Sequence, residues 1–300
     1  MDNAATMSFH DRVQSLPTLG MGISTEYGAF QADGCIDLRA LRRTAPQYGR
    51  FLEVGVEIAK GIDEDARSWA GAGLPTTYHF LDVNLDEPED TDDALWLSSV
   101  SAVIQTLRPA WLCGDAGLWH FGPRDRNHML LLPPILTADS ADALAAGIRR
   151  LRASTGLEVL PENPPGSLFV GDMDLLAYFA RVAEDADTGL LLDCAHLAMF
   201  QHYHGREALD GMADFPMDRV VELHVAGGSE KRTDNGFRWI VDDHNTDPLP
   251  ETWAIFEHIV SHAPNLRAVV VECERNPLAA CLPLMSRVHD VLRGSALDVL

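Results

Sequence analysis

Eight short apolar runs recur along this chain of 300 residues, and they constrain its fold more than any other feature. Between them lie helical stretches of roughly 10 to 20 residues, such as ALWLSSVSAVIQTL, SADALAAGIRRLRA and MDLLAYFARVAE. Strands that alternate with helices in this way predict an α/β fold, and eight of them favour a (β/α)8 TIM barrel over an open sheet. The predicted strands are LGMGIS, RFLEVGV, TTYHFL, AWLCGD, LEVLPE, GLLLD, VVELHV and RAVVVE.

A dinucleotide-binding fold is disfavoured, because the first run continues as GMGIST and places Thr25 where the helix-opening glycine of G-x-G-x-x-G would stand. The chain has no internal repeat and no linker rich in proline, glycine or serine. We therefore expect a single barrel domain over residues 17–300, preceded by a flexible N-terminal tail over residues 1–16.

The net charge of −22 limits the classes of partner. An acidic surface repels phosphate backbones and anionic lipids, so neither nucleic acid nor a membrane surface is an expected partner. No apolar run reaches the ~18 residues that span a bilayer. The five cysteines form no C-x-x-C pair, and the N-terminus lacks the features of a secretory signal, so a cytoplasmic protein with reduced thiols is expected.

Nearly every predicted strand ends in a carboxylate, an amide or an imidazole. In a TIM barrel these ends meet at one face, which carries the active site. So many like charges in one place are costly unless cations neutralise them, and this favours a metal centre. The residues at the strand ends are Glu53, Glu57, His79, Asp82, Asp115, Glu162, Asn163, Asp193, His196, His224, Glu272 and Glu274.

The stretch GLLLDCAHLAMF raises an alternative interpretation, in which Asp193 only caps a helix that begins at the following residue. A second cluster supports the metal: in VDDHN, Asp242 and His244 stand one residue apart, a spacing at which both side chains can point into one cavity. Imidazole and carboxylate without thiolate suit iron, manganese or catalytic zinc, and ligand chemistry does not separate iron from zinc.

These residues carry a family resemblance. The ordered segments FLEVGVE, TTYHFLDVN, GDAGLWHF, LEVLPEN, LLLDCAH, VVELHVAGG, VDDHN and VVVECERNP resemble the multinuclear non-haem iron-dependent oxidative enzymes, over about Leu19 to Val291. The resemblance implies a xylose-isomerase-like TIM barrel with two or three irons and dioxygen as co-substrate. The implied substrate is a ribosomally made precursor peptide, modified at cysteine, aspartate or asparagine in natural-product biosynthesis, and a small peptide-recognition protein is an implied partner.

The same resemblance assigns roles to individual residues. Glu162 becomes a pocket residue that orients ligands, and Glu162 and Asp193 are the implied catalytic residues. The implied metal ligands are His79, Asp115, Asn163, Asp193, His196, His224, Asp242, His244 and Glu272.

Two departures from the family pattern lie on one side of the predicted centre. Tyr27 stands where the first strand of the family is followed by a histidine, and Ala116 replaces a histidine after the fourth strand. We therefore expect two firmly held irons and a third that is labile or absent, in a divergent member of the family.

Two other classes of function remain open at this point. Related xylose-isomerase-like barrels include metal-dependent sugar isomerases, epimerases and hydrolases with similar ligands, although a DNA-repair hydrolase would need a basic groove. A barrel that has lost its metal and serves as a scaffold is the third interpretation, and the retained polar strand ends oppose it.

Overall fold

A computed structural model describes residues 7–25, 34–87, 93–121, 130–236 and 238–298, except for the side chains of residues 93–95. The strands in these ranges are β1 (Gly20–Thr25), β2 (Leu52–Val56), β3 (Thr76–Phe80), β4 (Leu112–Asp115), β5 (Val159–Glu162), β6 (Leu190–Asp193), β7 (Val220–Arg232), β8 (Arg238–Asn245) and β9 (Ala268–Glu272). The helices are α1 (Phe9–Val13), α2 (Leu38–Thr44), α3 (Glu64–Gly71), α4 (Asp93–Leu107), α5 (Ala138–Thr155), α6 (Leu175–Ala186), α7 (Cys194–Tyr203), α8 (Pro250–His262) and α9 (Leu278–Leu292).

The predicted barrel is confirmed. Strands β1 to β7 and β9 pair in parallel in the order β6-β5-β4-β3-β2-β1-β9-β7, and the pairing of β6 with β7 closes the sheet. Each of the eight predicted apolar runs overlaps one of these strands, and β7 extends seven residues beyond its run. Because the strands are parallel and closed, all of their carboxyl ends lie at one end of the barrel. None of the helices in the described ranges is long and apolar enough to cross a membrane.

Strand β8 is an addition to the eight barrel strands. Beyond the barrel, β7 continues as an antiparallel hairpin with β8, in which Gly228 faces Asp242 and the register shifts between Gly227 and Gly228. A side chain at Gly227 would place Cβ 2.1 Å from Asn245 Oδ1 and 2.4 Å from the Asn245 carbonyl oxygen, so only glycine permits this close approach. The hairpin is what carries Asp242 and His244 to the barrel.

The opposite end of the barrel is filled by α1. Phe9 and Val13 are fully buried in a cluster with residues from the strand interiors, and Arg12 forms ion pairs with Glu158 and Asp187. Residues 8–13 thus pack against the barrel where the sequence predicts a flexible tail, because two apolar side chains one helical turn apart close its amino-terminal end. The boundary of the domain at residue 17 stays a prediction.

Candidate metal centre

The carboxyl ends of the barrel strands surround a cavity of about 230 Å³, here called the mouth cavity. Carboxylates and imidazoles line it from six different strands, and nearly all of these side chains are buried. Asp193 and His224, both with no exposed surface, lie beneath it. The polar residues that line the cavity are Ser24, Thr25, Glu53, His79, Asp115, Glu162, His196, Asp242, His244, Glu272, Glu274 and Arg275.

Glu162, the last residue of β5, lies at the centre of this arrangement. Its Oε2 is 2.8 Å from His79 Nε2, and its Oε1 is 3.3 Å from His224 Nδ1 and 3.5 Å from His196 Nδ1. Burial alone would raise the pKa of Glu162, but the facing His224 and His79 outweigh burial and hold it well below its usual range. The carboxylate is therefore ionised at neutral pH and faces imidazoles on three sides.

Asp193 caps a helix, as one interpretation of its sequence context predicts, and its role as a metal ligand stays a prediction. It is the N-cap of α7, and its Oδ1 accepts a hydrogen bond of 2.6 Å from the backbone N–H of His196. Its Oδ2 is buried without a hydrogen-bond partner and lies 3.9 Å from His224 Nδ1. Burial raises the pKa of Asp193 well above its usual value, and the attraction of His196 offsets this only in part. One oxygen caps the helix, and the other is available to a ligand.

The hairpin supplies the side of the cavity opposite His79. Asp242 Oδ2 lies 3.2 Å from His196 Nε2 and 3.4 Å from His244 Nε2, and the other ring nitrogen of His244 lies 2.9 Å from Glu274 Oε1. His244 adopts a φ of +48°, in the left-handed region of backbone conformation that residues other than glycine rarely adopt. Such strain is typical of functional positions, where the surrounding structure enforces it.

Asp115 completes the cavity on the β4 side. Its carboxylate lies 3.9 Å from His79 Nε2 and 3.8 Å from His196 Nδ1, and its Oδ1 is buried without a hydrogen-bond partner. Burial and the charge of Glu162 raise the pKa of Asp115 to about 7, although both imidazoles act against the shift. The next residue, Ala116, is also buried and offers no ligand atom.

The donor atoms fit a cationic cofactor. In the described ranges, buried carboxylates outnumber the histidines that face them, so protonated imidazoles cannot balance the charge on their own. Several ligand atoms also lack a hydrogen-bond partner, which is unusual for buried polar atoms unless an ion satisfies them. The unsatisfied atoms at the cavity are Asp115 Oδ1, Asp193 Oδ2, both ring nitrogens of His224, Asp242 Oδ1 and Glu272 Oε2.

Four groups of side chains bring their ligand atoms within 4.8 Å of one another, the spacing of a metal site. They are His79, Asp115 and Glu162; Glu162, Asp193 and His196; Asp193, His224 and Glu272; and Glu53, Glu222 and His224. Glu162, Asp193 and His224 each belong to two of these groups.

Asn163 differs from its predicted role. Its amide donates a hydrogen bond of 3.0 Å to the Asp193 carbonyl and accepts one of 2.9 Å from the Asp193 N–H. The amide thus joins the ends of β5 and β6, because its two polar atoms match the two backbone groups of one residue. Glu162, one residue earlier and so on the opposite face of the strand, projects toward the cavity in its place.

Some candidate residues do not line the mouth cavity, and the sequence-based ligand set lacks two buried carboxylates. Tyr27 falls outside the described residues. His202 and His204, which follow His196 along α7, are exposed and do not line the cavity. The sequence-based ligand set omits Glu53 and Glu222. Glu53 is predicted at a strand end but is the second residue of β2, and Glu222 lies within β7, where no strand-end position marks it.

Comparison with known proteins agrees with this geometry. A family model described as "RiPP precursor modification enzyme MbnB/TglH/ChrH" matches residues 38–291. A UPF0276 protein of Rhizorhabdus wittichii is 28% identical over 269 residues, which cover 82% of this chain and 91% of that protein. A UPF0276 protein of Rhizobium meliloti is 27% identical over 218 residues, which cover 71% and 70% of the two chains.

Solved structures share the fold at low sequence identity. A xylose isomerase-like TIM barrel protein from Mycobacterium smegmatis, in complex with magnesium, has a TM-score of 0.58 and 11% identity and covers 96% of this chain and 98% of its own. A xylose isomerase domain containing protein from Salmonella typhimurium has a TM-score of 0.55 and 12% identity, with 94% and 97% covered. These likenesses confirm the predicted xylose-isomerase-like barrel.

Proposed function

The chain belongs to the MbnB/TglH/ChrH family of RiPP precursor modification enzymes, as the resemblance in its sequence predicted, and from this premise we propose an iron-dependent oxidase of a ribosomally made precursor peptide. The enzyme holds at least two non-haem irons in the mouth cavity and uses dioxygen as co-substrate. The modified residue of the peptide is a cysteine, an aspartate or an asparagine. Glu162 and Asp193 would be among the carboxylates that hold the irons.

One observation carries this proposal: buried ligand atoms without hydrogen-bond partners converge from several strand ends on one cavity. Two of the groups, His79 with Asp115 and His196 with Asp193, have Glu162 in common. A carboxylate between two imidazole-bearing groups is the arrangement that a bridged pair of metals needs. A single metal would leave one of these groups with its charges unbalanced.

Bound iron supplies the redox chemistry, and the side chains of this chain provide the geometry and the exclusion of water. Glu162 holds the imidazoles of β3, β7 and α7 together, and Asn163 fixes the end of β6 through both backbone groups of Asp193. The hairpin places Asp242 and His244 over the side of the cavity. The small volume admits a side chain of the peptide but not a folded domain.

The peptide would approach across an uncharged surface beside the cavity, here called the uncharged rim and formed by residues 116–121, 130–137 and 163–171. None of these residues is Asp, Glu, Lys or Arg, in a chain where charged residues make up 23%. The rim exposes large apolar side chains, and its inner residues Trp119, Leu131 and Pro165 line the mouth cavity. An apolar patch that continues into a cavity is typical of a binding surface. The exposed side chains are Phe121, Leu132, Ile135, Leu168 and Val170.

The experiment is co-expression of the enzyme with each short cysteine-containing peptide encoded beside its gene, followed by mass spectrometry of the peptide. We expect a mass change with one peptide, and its loss in the Asp193→Ala variant. Leu168→Glu on the rim should weaken modification, and the matched change Leu209→Glu, at an exposed leucine outside the rim, should not. Enzyme that binds zinc but no iron, or that leaves every peptide unchanged, would refute the proposal.

A further inference from the structure

Glu53 lies where an apolar strand would be expected to continue. It is the second residue of β2, it is 1% exposed, and it lines the mouth cavity. Its Oε1 lies 3.0 Å from Nε2 of His224. We propose, on the basis of the proposed function, that Glu53 is a positioning residue: it accepts the Nε2–H of His224 and so directs Nδ1 of that ring to a metal.

The surroundings of the His224 ring support one orientation. Nδ1 lies 3.3 Å from Glu162 Oε1 and 3.3 Å from Glu272 Oε1, two carboxylates of the metal-binding groups. Nε2 faces Glu53, which also lines the mouth cavity. A histidine binds a metal through a nitrogen that carries no proton, and the other nitrogen then carries a hydrogen that needs an acceptor. In the structure Nε2 makes no hydrogen bond, and Glu53 Oε1, 3.0 Å away, is the atom placed to accept its hydrogen.

Glu53 is itself held in place by two donors. The Cys113 thiol donates a hydrogen bond of 3.1 Å to Oε2, and the Thr77 hydroxyl donates one of 3.3 Å to the same atom. Both donors come from the neighbouring strands β3 and β4 and are fully buried. With Oε2 occupied by these donors, Oε1 is fixed toward His224. The sequence thereby builds a chain of contacts from Cys113 and Thr77 through Glu53 to the ring.

A metal beneath the ring is the alternative, since the ligand atoms of Glu53, Glu222 and His224 lie within 4.8 Å of one another. Hydrogen bonds limit the ligand atoms that such a metal could have. Oε2 of Glu53 already accepts two hydrogen bonds, and Glu222 Oε2 accepts one of 2.6 Å from Trp111 Nε1, which leaves one oxygen of each carboxylate and His224 Nε2 for a cation. Acceptance of the Nε2–H by Glu53 Oε1 needs no cation, and the two cases differ in which nitrogen of the ring holds a metal.

Partners of this kind orient metal-bound histidines and typically change metal affinity by about 10–100-fold when removed. The test is titration of the metal-free full-length protein with Co²⁺, followed by its visible absorption, in Glu53→Ala, Glu53→Gln and Glu222→Gln. We expect Glu53→Ala to weaken one Co²⁺ site by about 10–100-fold. Glu53→Gln, which keeps an acceptor oxygen, should restore most of the affinity. Glu222→Gln, the same substitution at a second fully buried carboxyl group, should leave the affinity within about two-fold.

A second measurement reads the ring directly. In protein loaded with Zn²⁺, which is diamagnetic, the ¹⁵N shifts of the His224 ring should show Nδ1 bound to the metal and Nε2 carrying a proton. Zinc bound to Nε2 would overturn the inference. So would equal losses of affinity in Glu53→Gln and Glu222→Gln, and neither outcome requires Glu53→Ala to fold. Unchanged affinity in a folded Glu53→Ala variant would do the same. Wild-type protein that binds no metal would instead refute the proposed function, and with it the role of Glu53.

Discussion

Replacement of Asp193 separates its cap from its proposed role as a ligand. Asp193→Asn keeps an Oδ1 that can accept from the His196 N–H, so the cap of α7 remains. The change removes a fully buried carboxylate oxygen that has no hydrogen-bond partner, and puts an N–H group among the ligand atoms of Glu162 and Glu272. We expect the metal-free variant to be more stable than the wild type and to bind at least one metal fewer.

The size of the effect follows from the burial. An unsatisfied buried polar group costs about 1–3 kcal/mol. For a chain of 300 residues, the unfolding entropy converts 1 kcal/mol into a Tm shift of about 1.5 °C. Asp193→Asn should therefore raise the Tm of the metal-free protein by about 2–5 °C. Asp193→Ala loses the cap as well, worth ~1 kcal/mol, so its Tm should lie about 1–2 °C below that of the Asn variant.

The assay is scanning calorimetry of the three proteins in chelator at pH 7, with metal content measured by elemental analysis after anaerobic reconstitution with ferrous iron. Both roles are established if the Asn and Ala variants both lose metal and only the Ala variant shows the lower Tm that loss of the cap produces. If both variants keep the full metal content and only the Ala variant loses stability, Asp193 is a helix cap and nothing more. A metal-free Asn variant that is less stable than the wild type would refute the argument that the unpartnered oxygen of Asp193 destabilises the metal-free protein.

Three further outcomes are expected. The metal-free protein should lose stability as the pH rises from 6 to 9, because the folded state keeps protons that the unfolded state releases. Burial raises the pKa of Asp115 to about 7 and that of Glu222 to about 8, and facing carboxylates outweigh burial to raise that of His79 to about 9. Since metals displace these protons, the rise in Tm on adding metal should be larger at pH 8 than at pH 6, and a flat pH profile would count against this. Gly227→Ala should destabilise the protein by about 1–3 kcal/mol and lower its metal content, because its Cβ would collide with the hairpin, whereas Gly71→Ala meets nothing within 4 Å and should be neutral in the same denaturation and metal assays. Elemental analysis should find two firmly held irons. The visible spectrum of the ferric protein should be the same in the wild type and in Tyr27→Phe. An intense band that is present in the wild type and lost in Tyr27→Phe would instead make Tyr27 a ligand.

The pattern of the sequence predicts the barrel because the information is local. A strand that is buried on both faces is apolar over its whole length in the sequence. A polar residue at its carboxyl end is then expected at the face of the barrel that carries the active site. His79, Asp115, Asp193, His196 and His224 could be chosen in this way, and the structure brings them to one cavity.

Other features of the site depend on which face a residue occupies and on what lies across the barrel. Glu162 and Asn163 are adjacent, and only the orientation of β5 decides that the first faces the cavity while the second pairs with the Asp193 backbone. Glu222 lies within an apolar strand, where a local pattern does not mark it, and Glu53, which the sequence places at a strand end, lies second in β2.

The sequence by itself determined the eight strands, their closure into a barrel and most of the polar groups at one end, since each depends on periodicity over a few residues. Only the tertiary structure decided that α1 closes the opposite end of the barrel and that one oxygen of Asp193 caps a helix while the other faces His224. It likewise decided that Glu53 is the partner of His224, a residue 171 positions along the chain. These contacts join strands far apart in sequence, and their geometry is set by barrel closure and by strand register, neither of which a local pattern contains.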